Sequence, residues 1–307
     1  MLFQSGYAQR LCCRSVMALR TICWPKLGTL MITQFTAADI PDLNGRTFFV
    51  TGANTGIGFE AARAFAERGA RVLLGCRDPG RGRAAMERLR AQVPSASVDL
   101  VDLDLGDLAS VRAAADVVRS EPRLDVLVNN AGIMWNPKTL TKDGFESQFG
   151  VNHLGHFALT GLLLDKLREI PRSRVVTISS AGHRFGNGDL FWDDLHAEKT
   201  YNPATRYFAS KLANLLFTYE LDRRLRAQGA STLAVAAHPG GAVTELDRYI
   251  YGPAKVVLNV LRPLMERWAN TAEQGAWPTE LAATAEGVEG GQYFGPGAWN
   301  ETSGPAR

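Results

Sequence analysis

Two side chains in this sequence stand at a spacing that suits proton chemistry. Tyr207 and Lys211 are four positions apart, in a stretch whose pattern predicts a helix over 203–227, so both project from one helical face. A free phenol has a pKa of about 10 and is a poor base at neutral pH. A neighbouring ammonium favours the phenolate. The pair is therefore a candidate general acid/base for an oxygen-bearing small molecule. Singly, each residue has a plainer reading, because a tyrosine near a helix start is often packing and a helical lysine usually faces water. What decides between the readings is the rest of the chain.

From Gly45 onward, short apolar runs alternate with helical patterns. Strands are expected at 46–51, 71–75, 97–103, 124–128, 174–179 and 232–237, with a short last one at 291–294. Helices are expected at 58–68, 79–93, 107–120, 144–169 and 203–227. Strict alternation of strand and helix predicts an α/β fold: a Rossmann-type, doubly wound parallel sheet in a single domain, with its ligand at the carboxyl ends of the strands.

The first strand runs into Thr51-Gly52-Ala53-Asn54-Thr55-Gly56-Ile57-Gly58, and a helix follows. Glycines let the backbone turn sharply and approach a pyrophosphate, whose charge is favoured at a helix N-terminus. The spacing is G-x-x-x-G-x-G rather than G-x-G-x-x-G.

That spacing resembles the short-chain dehydrogenase/reductase family. Further motifs follow in the family's order between Gly45 and about Pro296. Asn129-Asn130-Ala131-Gly132 follows the fourth strand, Asn152 lies in VNHLGHF, and Ser180 ends the fifth strand. Tyr207 and Lys211 form Y-x-x-x-K, and Pro239-Gly240 follows the sixth strand with Thr244 beyond it. The resemblance implies hydride transfer between a nicotinamide and an alcohol or carbonyl. Within it, Tyr207 is the general acid/base, Lys211 lowers its pKa and holds the nicotinamide ribose, Ser180 hydrogen-bonds the substrate oxygen, and Asn152 positions a water. It also implies a cofactor site built from Gly52, Asn54, Thr55, Gly56, Ile57, Gly58, Arg77, Asp104, Leu105, Asn130, Ala131, Gly132, Tyr207, Lys211, Pro239, Gly240, Val243 and Thr244. Asp104 is matched to the adenine contact, with Asp102 as its rival. The five histidines are assigned to packing or loops, with His183 nearest the substrate.

Cofactor choice turns on the end of the second strand, which reads Leu74-Gly75-Cys76-Arg77. An acid there would bond the ribose 2′-hydroxyl and repel a 2′-phosphate. Cys76 occupies that position, and the planar fork of Arg77 can pair with a phosphate. NADP(H) is favoured over NAD(H), with Asp78 the contrary sign.

Ser180 and Tyr207 are 27 positions apart, a long connection that resembles the retinol dehydrogenase-like branch and its bacterial relatives. An apolar substrate of retinoid, lipid or steroid type is implied. A protochlorophyllide reductase-like enzyme and a non-catalytic NADP(H)-binding regulator are the alternatives. The segment near 244–271 is strongly apolar and expected to line the substrate site. The resemblance also implies a homo-oligomer formed through the helices near 144–169 and 203–227.

Charge and composition set outer bounds. The first 38 residues carry Arg10, Arg14, Arg20 and Lys26 and no acid. Removing those four from the 34 basic residues leaves 30 against 31 acidic ones. A near-neutral body offers no nucleic-acid-binding face. Residues 1–38 read as a start-site extension or a targeting segment outside the fold, leaving 39–307 as the oxidoreductase domain. Cys12, Cys13, Cys23 and Cys76 form neither a C-x-x-C pair nor a zinc pattern, so no metal is expected, and free thiols fit a reducing compartment. No apolar run is long enough to span a bilayer. A cytoplasmic location is expected, or an organelle if the Arg-rich start is a transit peptide.

Overall fold

The computed structural model describes residues 34–186, 188–241, 270–298 and 301–307. Seven strands form its centre: β1 (Thr47–Thr51), β2 (Arg71–Cys76), β3 (Ser97–Asp102), β4 (Val126–Asn129), β5 (Arg174–Ile178), β6 (Leu233–Ala237) and β7 (Tyr293–Phe294). They pair in the order β3-β2-β1-β4-β5-β6-β7, and every pairing is parallel. The order reverses direction at β1, which creates the crevice where doubly wound sheets bind ligands.

The strands alternate their side chains between two cores. Phe48, Val50, Leu74, Val128, Val176 and Val235 face one side. They pack against Phe59, Ala62 and Phe65 of helix α1 (Gly56–Glu67) and Leu89 of helix α2 (Pro79–Gln92). Phe49, Leu73, Val101, Leu127 and Val175 face the other. They meet Val111 and Val118 of helix α3 (Leu108–Ser120), Leu159 and Leu163 of helix α4 (Gly155–Arg168), and Leu221 and Leu225 of helix α5 (Pro203–Ala227). Each buried Phe or Leu is worth ~1.5–3 kcal/mol. Exposed ion pairs such as Arg223–Glu220, at 2.7 Å, are screened by solvent and contribute little. Burial on both sheet faces is what sets this fold.

Three features differ from the sequence expectations. The fold begins before residue 39. Phe35 is buried in the first core and bridges Ala306, and Thr36 starts a 3₁₀ turn at Ala37–Asp39. An apolar residue beside Ile40 and Leu43 belongs with them, so the boundary drawn after residue 38 shifts toward the N-terminus; residues 1–33 lie outside the described residues. The single helix expected over 144–169 is broken: one turn at Ser147–Phe149 and a π-turn at Gly150–Leu154 precede α4. Finally, helix α6 (Ala272–Thr284) has no counterpart among the expected elements. Its capping box, Thr271 with Gln274, was the available signal. Pro278 and the polar Glu280 inside the helix hid the apolar period.

Glu280 is fully buried, and neither carboxylate oxygen has a hydrogen-bond partner among the described residues. Burial holds its pKa well above the ordinary value of 4.5, with the charge of Arg63 opposing that rise and Glu273, Glu60 and Glu67 adding to it. The folded state thus keeps a proton that the unfolded state releases, and stability falls as pH rises above that ordinary value. Replacing Glu280 with Gln should raise the melting temperature, and the gain should widen as pH is raised from 4.5. Parallel melting curves for the two proteins across pH would show that the carboxyl is not buried as a lone acid.

Candidate active site

A groove runs along the carboxyl ends of β1 to β4. It is lined by Gly52, Asn54, Thr55, Gly56, Ile57 and Gly58 after β1, and by Gly75, Arg77, Asp78 and Arg81 around the end of β2. Leu103, Asp104 and Leu105 follow β3, and Asn130, Ala131, Gly132, Ile133 and Val151 complete it. Twelve of the residues expected at a cofactor site meet here. Asp104 lines the groove and Asp102 does not. Gly75, Asp78, Arg81, Leu103, Ile133 and Val151 were not in the expected set. Arg81 had a signal, since it lies one helical turn from Arg77 at the start of α2.

The glycine turn has a steric basis. Gly52 sits at φ 66°, and a Cβ on it would lie 2.8 Å from the Ala131 backbone. A Cβ on Gly58 would lie 2.5 Å from the Gly52 carbonyl and would also strike the Asn130 amide. Only glycine lets α1 start against the β4 loop. Helices α2, α3 and α5 have their first-turn N–H groups capped by Asp78, Asp107 and Asn202. Thr55, the N-cap of α1, makes no such side-chain bond. The first-turn donors of α1 are thus the ones left facing the groove, which suits a pyrophosphate.

At the far end of the groove, Asp78 accepts from the backbone N–H groups of Gly80 and Arg81. Its carboxylate is engaged as a helix cap. Cys76 does not line the groove: it is buried, and burial pushes its thiol up to about 12, with a hydrogen bond to the Ala53 backbone working the other way. Arg77 and Arg81 are the cations in this part of the lining.

Thr51 joins the groove to the α4 side. Its hydroxyl accepts from the N–H groups of Asn130 (2.9 Å) and Ala131 (3.0 Å) and lies 2.8 Å from His156 Nε2. His156 Nδ1 lies 3.0 Å from the Asn152 carbonyl. A carbonyl only accepts, so Nδ1 carries the hydrogen and Nε2 receives the one from Thr51. Burial drives the His156 pKa down to about 3, which keeps the ring neutral. His156 therefore ties two loops together as well as packing.

The π-turn presents Asn152, whose side chain accepts from Ile133 N–H (2.8 Å) and donates to the Ile133 carbonyl and the Ser210 hydroxyl (both 3.0 Å). Such turns recur at functional sites because they re-aim one residue in an otherwise regular helix. Lys211 donates to the Ile178 carbonyl at 3.1 Å and lies 5.7 Å from the centre of the Tyr207 ring. A Cβ on Gly132 would stand 3.3 Å from Asn152 Oδ1 and 3.6 Å from Lys211 Nζ. The groove therefore ends against these two side chains.

Tyr207 and Lys211 are both buried in α5. Burial pushes the phenol up to about 12, opposed by a hydrogen bond with Ser180. Burial pulls the Lys211 ammonium down to about 8. The phenol thus holds its proton at neutral pH and is poised to give it to an oxygen. Ser180 lies just past β5 and also accepts from Gly182 N–H at 3.0 Å. The structure brings Asn152, Ser180, Tyr207 and Lys211 together.

Pro239 and Gly240 stand at the carboxyl end of β6, outside the groove lining, with Asn270 donating to the Pro239 carbonyl. Val243, Thr244 and most of the 244–271 segment lie outside the described residues. His183 is turned toward the Ser180 carbonyl (2.5 Å) and the edge of Tyr293. The long connection before α5 is fastened by Arg206, which donates to Asp194 and Thr200 and stacks on Phe191. Among the described residues no cluster of His, Cys, Asp or Glu could hold a metal ion, and no helix is long and apolar enough to cross a membrane.

Comparison with known proteins agrees with this geometry. The short chain dehydrogenase family model matches residues 46–191. Retinol dehydrogenase 11 of Mus musculus is 42% identical over 273 residues, spanning 88% of this chain and 83% of the relative. A crystal structure of an uncharacterised protein from Mycobacterium Paratuberculosis is 42% identical, with TM-score 0.71, covering 90% of this chain and 88% of its own. A structure assigned as an NAD(P)-dependent gluconate 5-dehydrogenase from Beutenbergia cavernae, with bound NADP, is 25% identical with TM-score 0.65. It covers 82% of this chain and 95% of its own. Sheet order, glycine turn and sequence agree: the chain belongs to the short-chain dehydrogenase family, in its retinol dehydrogenase-like branch.

Proposed function

We propose that this oxidoreductase interconverts an apolar alcohol and its carbonyl compound with NADP(H), and that Tyr207 is its general acid/base. The observation that carries the reading is the buried Tyr207 phenol, hydrogen-bonded to Ser180 and beside Lys211, at the end of a groove built for a dinucleotide. A bound nicotinamide supplies or accepts the hydride. Ser180 orients the substrate oxygen, and Tyr207 gives it a proton in reduction or takes one in oxidation. Lys211 favours the phenolate when its ammonium faces the ring. Asn152 fixes the Ile133 backbone that walls the site. The family's alternative, a nucleotide-binding regulator without turnover, is disfavoured by the retained tyrosine and lysine.

NADP(H) is supported by Arg77 and Arg81 in the groove and by the engagement of Asp78 as a helix cap. The other acid of the described lining, Asp104, follows β3 rather than β2. The apolar substrate is supported by the retinol dehydrogenase relatives and by the exposed Phe185 and Trp192, which follow Ser180. A homo-oligomer is supported by Phe157 and Leu216, exposed on α4 and α5.

A screen of NADPH oxidation against retinal, aliphatic aldehydes and ketones is the direct test. Tight NADPH binding without turnover of any carbonyl would defeat the enzyme reading. Replacing Tyr207 with Phe should lower kcat by roughly 10²–10⁴-fold and leave cofactor affinity near that of the wild type; retained turnover would remove Tyr207 from the proton step. Replacing Arg77 with Ala should raise KM for NADPH by about 10–100-fold, the range for one lost charge-assisted contact, while KM for NADH stays level. Equal changes for both cofactors would overturn the role of Arg77.

A further inference from the structure

A chain of polar contacts links the turn that carries Ser180 to the turn that carries Pro239 and Gly240. Gly240 N–H donates to His238 Nδ1 at 3.3 Å. That bond leaves the hydrogen on Nε2, which faces Glu301 Oε2 at 3.4 Å. The same Glu301 oxygen accepts from Arg184 at 2.6 Å. Arg184 closes the 3₁₀ turn whose N-cap is Ser180. Both partners hold the Glu301 carboxyl down to about 2, the His238 hydrogen bond being the largest influence.

The terminal segment around Glu301 fits closely against the β6 turn. Gly241 N–H donates to the Thr302 carbonyl at 2.9 Å. A Cβ on Gly240 would lie 2.5 Å from that carbonyl and 2.7 Å from Pro296 Cγ. Glu301 itself stands at φ 57°, a left-handed conformation that a non-glycine residue keeps only where its surroundings hold it. Side-chain contacts on two separate loops and a strained backbone converge on one residue.

We infer that Glu301 is a positioning residue: its carboxylate sets the separation between the Ser180 turn, which orients the substrate oxygen, and the Pro239–Gly240 turn at the carboxyl end of β6, which the family resemblance assigns to the cofactor site. The inference rests on the functional reading above for what those two turns do. Severing the link lets the turns move independently, and a misplacement of about 1 Å at reacting groups can cost on the order of 10²-fold in rate.

The test uses the full-length protein with Glu301→Ala, Glu301→Gln, Arg184→Ala and the double variant Glu301→Ala/Arg184→Ala. Glu301→Ala should lower kcat at least ~10-fold with a melting temperature close to that of the wild type, and Glu301→Gln, which still accepts one hydrogen bond, should recover part of the loss. Arg184→Ala should reproduce the defect, and the double variant should be no worse than Glu301→Ala. In parallel, hydrogen exchange should rise in peptides covering both 180–186 and 236–241 for Glu301→Ala and for Arg184→Ala. Because exchange is read without substrate, a wild type that turns over no carbonyl would sink the enzyme reading while leaving the clamp to be judged by exchange alone. Exchange rising only in 301–307, or additive effects of the two substitutions, would overturn the inference. So would unchanged kcat in a folded Glu301→Ala protein with wild-type turnover intact. If Glu301→Ala does not fold, Arg184→Ala decides by the same two readouts.

Discussion

One buried hydroxyl fixes the geometry of the site. Thr51 stands at the end of β1, receives the N–H groups of Asn130 and Ala131, and gives its hydrogen to His156. Three elements converge on it: the glycine turn, the β4 loop and the start of α4. A buried donor left without its partner costs about 1–3 kcal/mol, so losing this hydroxyl would strand several groups at once. The hydroxyl does its work only because the histidine is neutral and has a single tautomer; burial enforces the first and the Asn152 carbonyl the second. The crevice of the doubly wound sheet is thus held open at the switch point by polar bonds among backbone groups that have no ladder partner.

The proposed catalytic cluster depends on that anchor through the π-turn. The Asn152 carbonyl is held by His156, while its side chain holds Ile133 and Ser210. Ser210 in turn donates to the Tyr207 carbonyl. A continuous path of hydrogen bonds therefore runs from β1 to the backbone of α5. Ile178 completes the other side, its carbonyl receiving Lys211 and Asn214 together. Tyr207 and Lys211 share a face through helical spacing, but these outside bonds decide where that face points.

The sheet was legible in the sequence because each strand is a short apolar run bounded by turn residues, and burial on both faces leaves little room for another arrangement. The glycine turn was legible for a steric reason, since at Gly52 and Gly58 no other residue fits. Helix α6 was not, because Pro278 and a lone buried Glu280 break the pattern that periodicity detects. The π-turn was hidden as well: its helical neighbours carry the same apolar spacing, and the extra residue shows in the backbone bond from Gly155 N–H to the Gly150 carbonyl, five positions back. Cys76 ends β2, but the direction of its side chain is not readable from the sequence. Strand pleating turns its thiol into the core and leaves the groove to Arg77. Phe35 is hidden in the sequence because it adjoins a segment rich in Arg and free of acids, whose composition differs from that of the fold.

Arg206 has a wider consequence. It sits one position before Tyr207 and gathers Asp194 and Thr200 onto the first turn of α5, with its guanidinium against Phe191. The connection from β5 is therefore tethered beside Tyr207 at its far end and by Ser180 at its near end. Between two fixed posts, the intervening chain can change in length or composition with little mechanical effect on how Ser180 and Tyr207 face each other, since loop closure cost grows only slowly with length. Variation in what the outer surface recognises is uncoupled from variation in the chemistry beneath it.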